Sequence, residues 1–136
     1  MPITESTPLE TQSRLAHGLA AILLTAGTLH FVIPKPFDAI VPPEIPADPR
    51  TLTYASGVAE LVIGAALLPA STRRSAAAAA AALFVAVFPA NVTMARQWWH
   101  KSTLHRSIAI ARLPLQLPLI GAAVAVWRGQ RKSTTT

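Results

Sequence analysis

Five polar residues interrupt the apolar stretches of this sequence, and they are its main candidates for chemistry. They are His30, Glu60, Asn91, Arg112 and Gln116. A charged side chain such as Arg or Asp at the centre of a membrane-spanning helix raises the free energy of membrane insertion by roughly 2.5–3.5 kcal/mol. Glu60 and Arg112 would offset much of this cost by facing each other. Arg112 and Gln116 are four residues apart and therefore share one helix face.

Two interpretations of this intramembrane polar cluster are open from the sequence. In the first, the five side chains form a packing network that fixes the register of the helices. In the second, they line a pocket or a proton path that opens at one membrane face. A buried Glu–Arg pair fits both interpretations. His30 taken alone is more typical of a hydrogen-bonded structural residue than of a ligand or a base.

The residues of the cluster lie on four apolar stretches whose length matches a lipid bilayer. These stretches cover residues 15–33, 52–70, 76–94 and 108–127. At 1.5 Å per residue, each would span roughly 30 Å, the thickness of the hydrocarbon core. None has the polar stripe of a helix in a soluble bundle. The pattern predicts an all-α transmembrane four-helix bundle; a soluble, alanine-rich bundle is the alternative.

The segments outside the four stretches are polar or rich in proline. Residues 1–14 are predicted to be a retained polar tail, since they lack the pattern of a signal peptide. Residues 128–136 are predicted to be a basic, Thr-rich and disordered tail. Residues 34–50 hold six of the twelve prolines, so we predict a loop there rather than a regular helix or a central strand. We expect this loop to be a rigid connector; a cap over the polar cluster is the alternative. Residues 71–75 are predicted to be a short turn.

Glycine and proline indicate how the helices could approach one another. Gly57 and Gly64 flank Glu60 at positions −3 and +4, on the same helix face. Small residues allow a neighbouring helix to come close, so this face is the predicted contact surface. Pro89 removes a backbone donor and leaves the carbonyl of Val85 free to accept a bond from a side chain or water.

Composition excludes several classes of protein. Apolar residues make up 51% of the chain and charged residues 13%, and there is no cysteine. The absence of cysteine excludes disulfides, thiolate metal sites and thiol nucleophiles. The net charge of +6 comes from basic residues that lie mostly between the apolar stretches. That spacing is typical of membrane loops and does not favour nucleic-acid binding.

The sequence contains no recognisable catalytic constellation. It has neither a Gly-rich phosphate loop nor a GxSxG elbow, and we lean towards a protein that is not an enzyme. His17 and His30 lie near opposite ends of one predicted helix and cannot both ligate one haem iron. His100 and His105 are interpreted as interfacial residues rather than metal ligands. We therefore predict no metal site and assign no cofactor.

An ordered set of short motifs resembles the DoxX-like family of small four-helix bacterial membrane proteins. The motifs are Ala26-Gly-Thr-Leu-His30-Phe, the loop from Phe37 to Pro46, Ser56-Gly-Val-Ala-Glu60-Leu with Gly64, Phe88-Pro-Ala-Asn91-Val and Arg112-Leu-Pro-Leu-Gln116. The resemblance implies a multi-pass protein of the bacterial plasma membrane with cytoplasmic termini. Some relatives are linked to thiosulfate:quinone oxidoreduction or to redox complexes.

The expected function follows from the resemblance and the cluster together. The chain would be an accessory or ligand-binding subunit of a membrane complex, with a quinone or a lipid as the ligand. The alternatives are a purely structural or assembly subunit and a component of a redox-linked membrane enzyme. Basic residues of the predicted loops and tails number six on the side of the termini and five on the other side. This small excess, together with the basic tail, favours termini in the cytoplasm.

Overall fold

The computed structural model describes residues 7–133, with side chains through residue 130. Six helices follow one another: α1 Pro8–Val32, α2 Pro34–Ala39, α3 Pro49–Ala66, α4 Ala70–Ala86, α5 Phe88–Trp98 and α6 Thr103–Ser133. The described residues contain no strand. The prediction of an all-α protein is therefore confirmed.

Three helical segments are long and apolar enough to cross a membrane. They are Pro8–Val32, Ala70–Trp98 and Thr103–Gln130, of which the second contains both α4 and α5. Only 17–33% of the most apolar part of each segment is buried in the molecule. Apolar surface exposed on this scale fits a membrane protein. Helix α3, which corresponds to the predicted span 52–70, is not one of these three segments.

The first helix begins earlier than the predicted boundary at residue 15. The Thr7 hydroxyl accepts a hydrogen bond from the backbone N–H of Glu10, and the Glu10 carboxylate accepts one from the backbone N–H of Thr7. This capping box starts the helix at Pro8, which needs no N–H partner at the first helical position. Part of the predicted 1–14 tail is thus helical, and residues 1–6 lie outside the described residues.

The last helix likewise extends beyond the predicted span. Helix α6 continues through Pro114 and Pro118 and ends at Ser133. The predicted disordered tail of residues 128–136 is therefore helical over most of its length. Residues 134–136 lie outside the described part of the chain.

The proline-rich segment 34–50 differs from the predicted loop at both of its ends. It opens with the short helix α2, and α3 begins at Pro49. The prolines of α2 stand at its first and third positions, where an N–H has no intrahelical partner and is not needed. Residues 40–48 form the turns and bends that the composition predicts.

The connection between α3 and α4 is shorter than the predicted turn at residues 71–75. Helix α4 begins at Ala70, so Arg73 lies in its first turn. The Arg73 Nε and Nη2 groups donate to the carbonyls of Leu67 and Leu68, at 2.9 and 2.5 Å. The last carbonyls of a helix have no partners within it. Arg73 therefore caps the carboxyl end of α3 and is buried there, with 8% of its surface exposed.

The packed helices divide into two halves along the bundle. The termini half contains the start of α1 and the end of α6, and its core is apolar: Ala16, Leu19, Ala20, Leu23, Leu67, Ala76, Ala77, Ala80, Phe84, Ala123 and Val126. The cavity half contains α2 and α5, and its apolar core is small: Ile40, Met94 and Ala109. Most of the buried polar residues lie in or beside the cavity half: His30, Thr53, Glu60, Asn91 and Gln116.

Candidate functional site

A histidine–carboxylate pair joins α1 to α3 inside the bundle. His30 Nδ1 lies 3.0 Å from Glu60 Oε2 and 2.7 Å from the carbonyl oxygen of Ala26. The His30 and Glu60 residues are 9% and 8% exposed. Because a carbonyl can only accept, the contact with Ala26 places the proton of the neutral ring on Nδ1. The other ring nitrogen, Nε2, then carries the lone pair that can accept a proton, and the carboxylate can stabilise the ring once Nε2 is protonated.

Glycines bring the two helices close enough for this pair to form. A Cβ on Gly57 would lie 2.9 Å from the Cβ of His30, and a Cβ on Gly27 would lie 3.1 Å from the Cβ of Glu60. A Cβ on Gly64 would also meet α1. The predicted contact surface at Gly57 and Gly64 is confirmed. Gly27 was not predicted, although it lies three residues before His30 and so on the same helix face.

Asn91 and Gln116 form a second set of buried polar contacts, between α5 and α6. Asn91 Nδ2 donates to Gln116 Oε1 at 3.1 Å, and Gln116 Nε2 donates to the carbonyl of Phe84 at 2.6 Å. The helix breaks at Val87, next to Pro89, so the last carbonyls of α4 are available to side chains. Gln116 donates to the carbonyl of Phe84, whereas the position of Pro89 predicted a free carbonyl at Val85, one residue later.

Arg112 lies on the same side of the bundle but does not pair directly with Glu60. Its Nη1 group donates to the sulfur of Met94 at 3.4 Å. Sulfur is a weak acceptor for a guanidinium that carries five N–H donors. Among the described residues, no carboxylate lies within ion-pair distance of Arg112. The expected Glu60–Arg112 pair is thus replaced by a His30–Glu60 pair, because α1 rather than α6 packs against the glycine face of α3.

A partly open cavity of about 250 Å³ lies in the cavity half. Its polar lining is His30, Thr53, Ser56, Glu60, Asn91 and Arg112. Its apolar lining comes mainly from the proline-rich segment and the α4–α5 break, and includes Phe37, Ile40, Val41, Ile45 and Val87. Four of the five predicted site residues line this cavity, and Gln116 supports it from behind through Asn91. The sequence did not identify Thr53 and Ser56, whose hydroxyls carry no signal of their own.

The segment after α1 covers the cavity. The ring of Phe37 stacks on the ring of His30 with their centroids 3.8 Å apart. Gln97 Nε2 on α5 donates to the carbonyl of Ala39 at 2.6 Å. These contacts favour the cap over the expected rigid connector, since Phe37 of α2 lies directly on His30.

An ion pair at the surface holds this cap against α3. Arg50 Nε lies 2.8 Å from Asp38 Oδ2. The hydroxyl of Thr53 and the guanidinium of Arg50 hold the pKa of the Asp38 carboxyl below its usual range, although partial burial opposes the shift. The same ion pair raises the pKa of Arg50. Both groups are therefore charged at neutral pH.

Aromatic side chains lie beside cations at both ends of the bundle. Trp98, Trp99 and Trp127 each have a Lys or Arg cation within 5.1–5.7 Å of the ring. His105 contacts the edge of Trp98, and its Nδ1 lies 2.6 Å from the Ser102 hydroxyl. Within residues 7–130, no three His, Asp or Glu side chains are grouped so that they could hold a metal ion.

The fold and the site define an all-helical protein with membrane-length helices and a polar cavity between them. Residues 19–127 match the model of DUF8561, a domain of unknown function, and the chain belongs to that family. All five predicted site residues fall within this range. No curated protein and no solved structure matches the chain.

Proposed function

We propose that the chain is a four-span protein of the bacterial plasma membrane, similar to the DoxX-like family, in which α3 is the fourth span. The outward face of α3 is apolar, since Val58 and Val62 are 53% and 62% exposed. Glu60, its charged residue between them, is instead buried against α1. A helix that turns valines outward and its carboxylate inward fits lipid better than water.

The proposed orientation has both termini in the cytoplasm. Arg74 and Arg128 lie on that side together with the basic end of α6. Arg73 is excluded from this argument because its charge is used to cap α3. The chain has no cysteine, so a single Cys introduced at Ser102 should react with a membrane-impermeant maleimide added outside intact cells, and one at Ser133 should not.

The proposed activity is the binding of a lipophilic ligand with a polar head, such as a quinone or a lipid, by an accessory subunit of a membrane complex. The cavity carries this proposal, because it places a carboxylate, an imidazole and a guanidinium beside an apolar wall. Binding pockets for small molecules commonly combine a few polar groups with a mostly apolar lining. The partial opening of the cavity would allow a lipophilic tail to continue into the bilayer.

The polar residues of the site have separate roles in this proposal. Arg112 and the hydroxyl of Ser56 would donate to oxygens of the ligand head. His30 and Glu60 would exchange a proton with it. Asn91 and Gln116 bond mainly to each other and to the backbone, so they would fix α5 against α6 and shape the wall of the cavity.

Binding measurements on purified variants test this function. Glu60→Gln and Arg112→Met should each weaken the binding of a short-chain quinone or a retained lipid about tenfold or more, while the yield of folded protein in mild detergent stays near that of the wild type. Arg128→Met is the matched control, because Arg128 is exposed at the other end of α6. Unchanged ligand binding in both cavity variants would overturn the proposal.

The competing function is that of a structural or assembly subunit. The bonds from Asn91 through Gln116 to Phe84 favour it, because they tie α4, α5 and α6 together without involving a ligand. If Glu60→Gln and Arg112→Met both abolish folding, this alternative is supported and the ligand-binding proposal fails. Recovery of a stoichiometric partner from mild detergent would identify the complex.

A further inference from the structure

The charges around the cavity balance before any ligand enters. Glu60 on α3 and Arg112 on α6 are the charged groups that act on His30. Helix α2 faces His30 with the ring of Phe37, and α5 contributes the neutral Asn91 to the same cavity. Asp38 of α2 is held by Arg50. With His30 neutral, the carboxylate and the guanidinium therefore sum to zero.

Although the total is zero, both ions keep unused hydrogen-bonding capacity. Glu60 Oε2 lies 3.0 Å from His30 Nδ1, but this buried oxygen accepts no hydrogen bond from the described residues. The exposed Arg112 donates to the sulfur of Met94 and has no carboxylate within ion-pair distance among the described residues. A planar guanidinium binds a carboxylate through two parallel hydrogen bonds, which are among the strongest polar contacts in proteins. An anionic oxygen group opposite Arg112 would complete the bonding of the guanidinium, and a proton added to His30 would strengthen its pair with Glu60.

We infer that the cavity binds an amphiphile with a carboxylic acid head, and that binding as the anion is coupled to the uptake of one proton by His30. This inference rests on the proposed ligand-binding function and specifies its ligand. An added anion would leave one uncompensated negative charge in a membrane interior, where such charge is costly. Protonation of His30 at Nε2 restores neutrality.

The proton and the charges can be followed atom by atom. When the acid enters in its neutral form, its O–H bond breaks and the proton passes to His30 Nε2, forming an N–H bond. The resulting carboxylate pairs with Arg112. The Nδ1–H of the imidazolium points to the Ala26 carbonyl and the Glu60 carboxylate, which stabilise its charge. When the ligand enters as the anion, the same proton comes from the solvent.

The size of the cavity suits the head of such a ligand rather than the whole molecule. Pockets that enclose drug-sized molecules commonly measure roughly 300–1,000 Å³, and this cavity of about 250 Å³ is smaller. It can hold the head and the first methylenes against Ile40 and Val41. The rest of the chain would leave through the open side towards the bilayer.

Calorimetry with three related probes tests the inference. Decanoate, decanol and acetate are titrated into the full-length protein in mild detergent near neutral pH, in two buffers of different ionisation enthalpy. We expect decanoate to bind with uptake of about one proton per ligand, read from the dependence of the heat on the buffer. Decanol, which lacks the charge, and acetate, which lacks the tail, should each bind at least about tenfold more weakly.

Three variants test which residues are responsible for the preference for a carboxylate and for the proton uptake. Arg112→Met should remove the preference for decanoate over decanol, and Arg128→Met should keep it. His30→Gln should abolish the proton uptake while the protein stays folded. If His30→Gln does not fold, the affinity of the wild type for decanoate is measured as a function of pH. Because binding is coupled to the uptake of a proton, the affinity for the anion should fall as the pH rises.

The failure of this inference can be distinguished from the failure of the proposed function. Tight binding of decanol or a neutral quinone without a preference for decanoate would overturn the acidic-head inference and leave the ligand-binding function in place. Decanoate binding without proton uptake would overturn the coupling to His30. If acetate binds as tightly as decanoate, the requirement for an apolar tail is overturned, and the cavity is a site for a small free anion. Binding of none of the probes, quinone included, would overturn both proposals.

Discussion

The polar groups of the two halves of the bundle differ in how completely they are hydrogen-bonded. In the termini half, Arg73 is buried but bonded to two fixed backbone carbonyls, and alanines fill the core around it. In the cavity half, the buried Glu60 Oε2 lies beside His30 but accepts no hydrogen bond from the described residues, and the exposed Arg112 donates to the sulfur of Met94. Polar groups that are satisfied by the backbone stabilise a fold. Polar groups with bonding capacity left over, lining a cavity, are available for a ligand.

The difference arises from which small residues each half uses. Alanines on α4 fill the termini half, because their methyl groups pack without leaving space. In the cavity half, glycines bring the backbones of α1 and α3 together at one point, while the proline-containing break at Val87 and the cap α2 hold the other walls apart. The cavity lies between that close approach and that break.

The substitution with the largest expected effect tests whether the cavity half depends on the glycine contact between α1 and α3. Gly57→Leu introduces a side chain where a Cβ alone would already lie 2.7 Å from the ring of Phe31. Such overpacking should destabilise the protein by about 3 kcal/mol, measured by SDS-induced unfolding. It should also separate His30 from Glu60 and abolish ligand binding.

Gly121→Leu is the matched control for that change. No atom lies within 4 Å of a Cβ built on Gly121, which is on the exposed side of α6. This variant should unfold like the wild type. Equal stability of Gly57→Leu and Gly121→Leu would contradict the close packing of α1 on α3.

A somewhat smaller effect is expected at the opposite end of the molecule. Arg73→Met leaves the carbonyls of Leu67 and Leu68 without their donor, which should cost about 1.5–3 kcal/mol. Because the termini half is separate from the cavity, ligand affinity measured on the folded fraction should stay unchanged. Arg74→Met is the control, since Arg74 is exposed and lies over the face of Trp127. Loss of ligand binding in Arg73→Met would show that the two halves are coupled.

The smallest effect concerns the cap and its dependence on pH. The lowered pKa of Asp38 means that its ion pair with Arg50 stabilises the cap at neutral pH down to about pH 4, and that this contribution is lost as the pH falls through the lowered value. A spin label on Ala47→Cys should therefore become more mobile in strong acid, as measured by electron paramagnetic resonance.

The control for the cap is Asp38→Asn, which keeps the shape of the side chain but cannot ionise. In that background the label should be mobile at neutral pH, and its mobility should no longer change with acid. A label that responds to acid equally in both backgrounds would assign the effect to another group.

Several parts of the fold could be predicted from local sequence. Long apolar runs without polar stripes indicate membrane-length helices, because helix length and hydrophobicity are properties of the run itself. The same holds for the glycine face around Glu60, which follows from the spacing of Gly57 and Gly64. The short helix at Pro34–Ala39 was missed, because prolines exclude a helix interior but not a first turn.

The sequence alone determined which polar residues interrupt the apolar stretches and on which helix each one lies, since both follow from composition and periodicity. Only the tertiary structure decided that Glu60 faces His30 rather than Arg112. Opposite charge made either partner reasonable for a carboxylate. The choice was made by the close approach of α1 and α3 at Gly27 and Gly57, which depends on atoms far apart in the chain. Arg112 was thereby left beside the cavity, where the sulfur of Met94 is the acceptor that the described residues offer its guanidinium.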